Sequence, residues 1–219
     1  MGDKVDRETP VKLANLPKIK AIAAGYYHTL MLDEDGKVWS CGYNMYGQLG
    51  RNTTEEADKA ESVPGLVTLA VEIVGIAAGN FHSIFLDVDG NVWGCGHNSE
   101  GCLGIEKRLN QVIPERAELP KIVSISAGMH SSTFIDEEGT VWGCGRIFNC
   151  STPVRYCSGI VCADCSSYIM LVNTDGQILV SGIQIHNNYH YSDYSEPKIN
   201  EEFPLVHARR KNTKSARKI

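Results

Sequence analysis

The chain has 219 residues, of which 42% are hydrophobic and 21% are charged, a composition typical of a globular protein with a substantial core. No apolar run reaches the roughly 20 residues of a membrane-spanning helix, and the polar N-terminus lacks the apolar segment of a signal peptide. We therefore expect no membrane association, a cytoplasmic or nuclear location, and eight cysteines that stay reduced.

The net charge of −5 is distributed unevenly along the chain. Residues 207–219 contain basic side chains and no acidic one, so the rest of the chain is strongly acidic. A segment with many cations and few apolar residues cannot build a core. We predict that residues 1–206 fold and that residues 207–219 form a disordered basic tail. This tail is a targeting signal, a contact for nucleic acid, or simply a solvated end of the chain. Its cations are Arg209, Arg210, Lys211, Lys214, Arg217 and Lys218.

In chain order, residues 9–16 are predicted to form a short strand that belongs to no repeat. The first repeat begins near residue 20 and contains two apolar runs joined at Asp35-Gly36. An Asp-Gly pair between apolar runs is a strong signal for a β-hairpin. A polar connector follows, and Pro64 then marks another short strand. The repeat therefore predicts four short antiparallel strands.

The same unit recurs three more times, at intervals that begin at about fifty residues and then shorten. We place the four copies near residues 20–66, 74–116, 122–155 and 159–199. A tryptophan follows the hairpin turn in the first three copies, and we expect these side chains to be buried equivalents. They are Trp39, Trp93 and Trp142, and Leu179 takes their place in the fourth copy.

Four-stranded sheets repeated around an axis form a β-propeller, in which neighbouring blades cover both faces of each sheet. We therefore predict an all-β fold, a propeller of about four blades. If neighbouring blades are related by the same rotation as in a seven-bladed ring, four blades cover only about 206° of the circle, so we expect a partial or open propeller. Such an arc either associates with a second arc or is a truncated relative that needs a partner. The alternative is a tight four-bladed ring, closed by residues 9–16 on the last blade.

Three motifs recur in a fixed order: Ala-Gly-x-x-His, Asp-Gly-x-Val-Trp-x-x-Gly and Asn-x-x-Gly-x-Leu-Gly. Two copies match them almost fully, the third copy matches half, and the fourth matches weakly. In these motifs, residues 10–200 resemble the regulator of chromosome condensation repeat family. The resemblance implies a β-propeller, usually of seven blades. It also implies a guanine-nucleotide exchange factor for a small GTPase, a chromatin-binding module, or an interaction domain.

The chain lacks the phosphate-binding, metalloprotease and nucleophile-elbow motifs, so we expect no enzyme active site and no cofactor. We therefore predict a non-catalytic protein-interaction module, for which the resemblance implies regulation of a small GTPase. The alternatives are chromatin or nucleic-acid binding through the basic tail, and a degenerate structural fragment without activity. Self-association is a further expectation for an open arc.

Antiparallel strands alternate in direction. In every copy, the first connection (between strands one and two) and the third connection (between strands three and four) therefore lie on one face, and the Asp-Gly turns lie on the other. The first face presents aromatic and methionine side chains, which are favoured in the cores of interfaces. The turn face collects carboxylates, which either serve turn chemistry or steer basic partners. The predicted partner-binding residues are Tyr26, Tyr27, Asn80, Phe81, Met129, His130 and Tyr46.

His28 and His82 occupy equivalent turns, and we interpret them as structural groups that satisfy turn backbone atoms. In the fourth copy, Cys162 aligns with the core position of Ile22, and Cys165 aligns with the glycine of the first turn. This alignment argues against a metal role, so we predict no metal site. The alternative is one structural zinc ion bound by four thiols. They belong to Cys150, Cys157, Cys162 and Cys165.

Overall fold

The computed structural model describes residues 8–13, 15–52, 61–182 and 198–199, and every regular element within these ranges is a β-strand. The first sheet contains β1 (Ile19–Ala24), β2 (His28–Asp33), β3 (Val38–Gly42) and β4 (Glu61–Leu66). The second contains β5 (Ile73–Ala78), β6 (His82–Asp87), β7 (Val92–Gly96) and β8 (Gln111–Arg116). The third contains β9 (Ile122–Ala127), β10 (Ser131–Asp136), β11 (Val141–Gly145) and β12 (Cys150–Cys157). The fourth contains β13 (Ile160–Cys165), β14 (Tyr168–Asn173), β15 (Ile178–Gly182) and β16 (Lys198–Ile199).

Each sheet is one propeller blade, with its strands antiparallel and hydrogen-bonded in chain order. The predicted all-β blade architecture is confirmed. Within the described ranges, no helix is long and apolar enough to cross a membrane. The basic tail lies outside the described residues.

Hydrophobic clusters lie between consecutive blades rather than inside a blade. Between the first two blades, Leu30 and Leu32 pack with Phe85 and Cys95. Equivalent clusters join the second blade to the third and the third to the fourth. The second and third sheets are therefore stabilised on both faces by their neighbours, as propeller blades are.

The four sheets form an open arc and do not close into a ring. Extensive packing runs from the second strand of each blade to the first strand of the next: from β2 to β5, from β6 to β9 and from β10 to β13. The prediction of a strand at residues 9–16 is wrong for the residues described there, which form none. The fourth sheet instead contains only strands from its own repeat.

The three tryptophans are equivalent, but they are half-buried rather than buried. In each of the first three blades the indole N–H donates a hydrogen bond to the aspartate that opens the hairpin turn, with a donor–acceptor distance of 2.9 Å. Because this carboxylate lies at the end of its strand, the indole is held near the edge of the sheet, where water reaches it. The smaller Phe85 and Phe134 are fully buried.

Candidate functional site

The first and third connections of the blades bring a row of aromatic rings together on one face. The Phe81 ring lies in the middle of this row. Its centroid is 5.8 Å from that of Tyr26, 6.3 Å from that of Tyr43 and 5.4 Å from that of Tyr46. Aromatic rings at roughly 4.5–7 Å attract each other when tilted or edge-on, as these are. The rings therefore form one packed group.

The row continues toward the third blade through two histidines. The Tyr46 and His97 ring centroids are 4.9 Å apart, and those of His97 and His130 are 5.8 Å apart. At the other end, Tyr27 packs against Tyr26 with a centroid distance of 4.2 Å. We name this row the aromatic surface. It consists of Tyr26, Tyr27, Tyr43, Tyr46, Phe81, His97 and His130.

The aromatic surface is open to solvent where it is most apolar. Tyr26 is 59% exposed and Tyr27 is 60% exposed, while Phe81 is half-buried beneath its neighbours. Met45 and Met129 are also exposed on this side. Large exposed apolar groups that adjoin one another mark interaction sites more often than scattered ones do.

The loop after β3 fixes the position of Tyr46. The Asn44 side-chain oxygen accepts the N–H of Leu49 at 3.0 Å, and the Gln48 side-chain oxygen accepts the N–H of Tyr46 at 3.0 Å. Leu49 is completely buried, which anchors the loop. Tyr46 is therefore held by its backbone while its ring stays at the surface.

Gly47 brings the same loop against the second blade. Its φ of +85° lies in the left-handed region, and a Cβ there would lie 2.6 Å from the Cα of Val112 in β8. Only glycine permits both this backbone conformation and this close approach. The contact explains why the Tyr46 ring reaches Phe81, a residue of the second blade.

Backbone hydrogen bonds link the first turns of successive blades. The N–H of Tyr26 donates to the carbonyl of Asn80 at 3.3 Å, and the N–H of Asn80 donates to that of Gly128 at 3.2 Å. The N–H of Met129 donates to the carbonyl of Ser166 at 3.2 Å. These turns thus hold the candidate residues at fixed spacing around the axis.

All seven predicted partner-binding residues lie at the first or third connections of their blades. The structure joins five of them into the aromatic surface. Asn80 and Met129 belong to the linked turns beside it. Tyr43 and His97, which are not among the predicted residues, belong to the same row. A binding role for these residues stays a prediction.

The two histidines of the aromatic surface are uncharged near neutral pH. Burial lowers the pKa of His97, against a smaller opposing effect of Glu100. Burial also lowers the pKa of His130, and the neighbouring His97 adds to this effect. At the other end, a hydrogen bond with Tyr26 raises the pKa of Tyr27. The surface is therefore neutral, with polar atoms at the edges of apolar rings.

Two small pockets adjoin the aromatic surface. One, of about 250 Å³, is lined by the first turns of the four blades around the axis. The other, of about 120 Å³, lies between the third and fourth blades. It includes His130 and also Arg146, a residue that the sequence did not single out. Sites for small organic ligands usually enclose roughly 300–1,000 Å³. These pockets fit single side chains of a larger partner better than a cofactor.

The opposite face carries the turn carboxylates, and the first aspartate of each of the first three turns is buried. Asp87 accepts the backbone N–H groups of Asp89 and Asn91 at 3.0 and 2.8 Å, and the indole N–H of Trp93 at 2.9 Å. Burial alone would raise the pKa of Asp87, but these hydrogen bonds outweigh it and lower the pKa. Asp33 and Asp136 accept the same backbone and indole N–H groups, which supports the interpretation that these carboxylates stabilise the hairpin turns.

The four thiols of the zinc alternative differ in burial. Cys165 is buried, Cys162 is exposed, and Cys150 and Cys157 are intermediate. The part of the chain that the structure describes contains no group of three or more His, Cys, Asp or Glu side chains placed to hold a metal ion.

The sequence alignment of the fourth copy is wrong by one residue. Ala163, rather than Cys162, pairs with Leu171 in the way that Ile22 pairs with Met31. The first turn of this blade spans two residues, 166–167, whereas the other blades use three. The deletion shifts the register, and the exposed Cys162 occupies no core position.

His28 and His82 are buried, as a structural role requires, but each ring forms its hydrogen bond with the next blade rather than with its own turn. The Nε2 atom of His82 lies 3.0 Å from the hydroxyl of Ser132, and that hydroxyl donates to the carbonyl of Cys102 at 2.7 Å. The sequence showed a hydroxyl residue after each histidine position. It did not show that the partner belongs to the following copy.

The fold and the aromatic surface define a class of protein: a β-propeller repeat protein with an exposed connection face. The regulator of chromosome condensation (RCC1) repeat model matches residues 35–86 and 89–135, and a second model of this repeat matches residues 19–48 and 73–102. Together these matches span more than half of the chain. The chain therefore belongs to the RCC1 repeat family.

Curated relatives agree with this assignment. The mouse regulator of chromosome condensation is 34% identical over 123 residues, which cover 54% of this chain and 29% of that protein. The dog X-linked retinitis pigmentosa GTPase regulator is 36% identical over 123 residues, covering 55% of this chain and 12% of that protein. The matched stretch thus spans less than a third of either relative.

Solved structures share the fold. Prp20p from Saccharomyces cerevisiae superposes with a TM-score of 0.64 at 25% identity, covering 79% of this chain and 45% of that chain. Human WBSCR16 superposes with a TM-score of 0.68 at 18% identity, covering 76% of this chain and 48% of that chain. The arc of this chain thus corresponds to about half of each of these chains.

Proposed function

We propose that this protein binds a protein partner through the aromatic surface, and that the partner is a small GTPase whose nucleotide exchange it regulates. The observation that carries the proposal is the continuous row of rings around Phe81. Interface cores are enriched in tyrosine, phenylalanine and methionine and depleted in charged residues. The aromatic surface has this composition.

The geometry favours a protein over a small ligand. The row extends across three blades, and the pockets beside it are small. Interface hot spots cluster near the centre of a contact, where surrounding groups exclude water. Phe81 has this position, because three other rings surround it.

The relatives supply the class of partner. One curated relative is named a GTPase regulator, and the published description of Prp20p refers to its binding properties to Gsp1p and histones. This chain spans only part of these proteins, so their partners support a proposal for it. Exchange requires a surface that binds the GTPase and alters its nucleotide pocket, and it requires no nucleophile or general base.

The experiment measures the release of a fluorescent guanine nucleotide from a panel of small GTPases, together with direct binding to each. Phe81→Ala is expected to weaken both by about tenfold or more, as removal of a central aromatic group does. Val88→Ala is the control, since Val88 is 57% exposed on the opposite face. The proposal fails if no GTPase binds, or if both variants behave alike.

A further inference from the structure

The contact between consecutive blades has two different halves, which we name the leading and the trailing face. The leading face of the second blade contains Ile76, Phe85 and Trp93, which are aligned across β5, β6 and β7. The trailing face of the first blade contains Leu30 and Leu32, which pack against them. The same arrangement joins the second blade to the third and the third to the fourth.

The first blade has a leading face that no described blade covers. Ile22, Met31 and Trp39 are aligned across its strands as Ile76, Phe85 and Trp93 are in the second blade. Ile22 is 75% exposed, whereas its equivalent Ile76 is half-buried. Met31 is already buried, so Ile22 and Trp39 are the groups that this face offers.

The fourth blade has the complementary trailing face. Cross-strand pairing places Met170 opposite Val180 and Val172 opposite Ile178. Met170 is 42% exposed and Ile178 is 40% exposed. Their equivalents in the first three blades are almost completely buried against the following blade. These equivalents are Leu30, Ile84 and Thr133 for Met170, and Val38, Val92 and Val141 for Ile178.

A backbone hydrogen bond accompanies each contact between blades. The N–H that opens β5, at Ile73, donates to the carbonyl of Gly36 at 2.9 Å. The same bond joins β9 to the second hairpin turn and β13 to the third, each at 3.0 Å. At the ends of the arc, the equivalent groups are the N–H of Ile19 and the carbonyl of Gly176. A Cβ added at Gly176 would meet no atom within 4 Å, so the space of a following blade is open there.

The charges at the two ends also match. In one of the three contacts, that between the second and third blades, Lys121 precedes β9 and lies against the hairpin turn that contains Asp89, whereas Glu72 has the equivalent position in the first contact. The pKa of Lys121 is raised mainly by Glu137 of its own blade and also by Asp89 across the contact. The equivalent residues at the ends of the arc are Lys18, before β1, and Asp175, in the last described turn. They have opposite charges.

We propose that two copies of this chain associate head to tail, so that the trailing face of each fourth blade binds the leading face of the other copy's first blade. Every molecule carries both halves of the contact, and two such contacts close a ring of eight blades when each blade turns by about 45°, slightly less than in a seven-bladed ring. Propellers with four to about eight blades are known, so a ring of this size is within the range of the architecture. A head-to-tail contact that does not close would instead produce open polymers.

The test is the mass in solution by light scattering or sedimentation at micromolar concentration. Twice the chain mass of 24.0 kDa is expected. Ile22→Glu and Ile178→Glu each place an unpaired carboxylate in the contact, so each should weaken association by about tenfold or more. Leu109→Glu is the control, because Leu109 is 65% exposed and away from both end faces. All three sites are exposed, so the variants should fold.

Mixing the two end-face variants separates head-to-tail association from a contact between identical faces. Ile22→Glu keeps an intact trailing face and Ile178→Glu keeps an intact leading face, so the mixture should form dimers that neither variant forms alone. A monomeric wild type, a dimer that survives both substitutions, or a mixture that stays monomeric would overturn the proposal. Larger polymers would overturn the closed ring.

Discussion

His28 of the first blade and Ser83 of the second, separated by 55 residues in the sequence, lie 2.9 Å apart between Nε2 and Oγ. The Ser83 hydroxyl donates to the carbonyl of Gln48 at 2.7 Å, so His28 must donate its Nε2–H to Ser83. The Nδ1 atom of His28 is buried without a hydrogen-bond partner, so the imidazole is neutral in the folded protein. The same arrangement links His82 to Ser132.

These two histidines should make the fold sensitive to acid. Burial lowers the pKa of His28 to about 4 and that of His82 to about 3, from an ordinary value of 6.5. Below pH 6.5 the unfolded chain therefore binds more protons than the folded chain. We expect the free energy of unfolding to fall by at most about 1.4 kcal/mol per pH unit for each histidine between pH 6 and pH 4, with the His28 contribution declining as the pH approaches 4.

Urea denaturation at several pH values measures this slope. His82→Gln, which keeps a donor for Ser132, should remove the part of the slope that comes from His82. A stability that does not change between pH 7 and pH 4.5 would contradict the assigned proton states.

The indole of Trp39 should contribute more to stability through its N–H than the indole of Trp93 does. Trp39 donates to the carboxylate oxygen Oδ2 of Asp33 at 2.9 Å. In the second blade, Asp87 Oδ2 accepts both Trp93 and the side-chain amide of Asn91. We expect Trp39→Phe to cost about 1.5–3 kcal/mol of unfolding free energy and Trp93→Phe to cost less.

Chemical denaturation of both variants provides the comparison, with Tyr27→Phe as a control for loss of an exposed polar group. Equal losses of unfolding free energy at the two positions would show that the Asn91 amide, the second donor to Asp87, does not compensate for the lost indole N–H.

A methyl group at Gly79 should disrupt the first turn of the second blade. A Cβ there would lie 2.5 Å from the carbonyl oxygen of Gly128 and even closer to the ring of His82. We expect Gly79→Ala to cost about 3 kcal/mol or more, at the upper end for overpacked sites. Gly159→Ala is the matched control, since it has a φ of +75° but open space around it. Its cost should be about 1–2 kcal/mol, the penalty of the left-handed conformation.

Thermal and urea denaturation rank the two glycine variants. A Gly79 variant as stable as the Gly159 variant would mean that the turns of adjacent blades do not approach as closely as described.

Among the cysteines of the described ranges, Cys162 should react first with a thiol reagent in the native protein. It is exposed, whereas Cys95, Cys102, Cys144 and Cys165 are buried. Burial raises the pKa of the Cys102 and Cys165 thiols to about 12, so almost no reactive thiolate forms there at neutral pH. Mass spectrometry after brief labelling identifies the modified residue.

Cys162→Ser should abolish this fast labelling, and Cys157→Ser should leave it unchanged. Protection of Cys162 by added zinc would support the metal alternative.

The basic tail should give the protein a salt-dependent affinity for DNA. Its cations, on residues 207–219, can each neutralise a phosphate, so the logarithm of the binding constant should fall with the logarithm of salt concentration with a slope of up to about −5. Deletion of residues 207–219 should abolish this binding and leave nucleotide exchange unchanged. Fluorescence anisotropy with a labelled duplex measures the salt dependence of DNA binding and the effect of the deletion on it. Undiminished DNA binding after the deletion would place the contact elsewhere.

The sequence by itself determined the unit of this fold. Apolar runs joined at Asp-Gly turns specify hairpins, because turn chemistry and antiparallel pairing involve residues close together in the chain. Repetition of the unit predicted blades, and strand alternation placed Tyr26, Phe81 and Met129 on one face.

Only the tertiary structure decided which groups meet across blades. The bond from His28 to Ser83, the contact of Tyr46 with Phe81 and the exposure of Ile22 all depend on how one blade lies against the next. The shortened turn at 166–167 changed the register of the fourth blade, which a motif comparison could not detect. The two contacts join residues that are 55 and 35 positions apart in the chain, and their geometry follows from the packing of whole sheets rather than from local spacing.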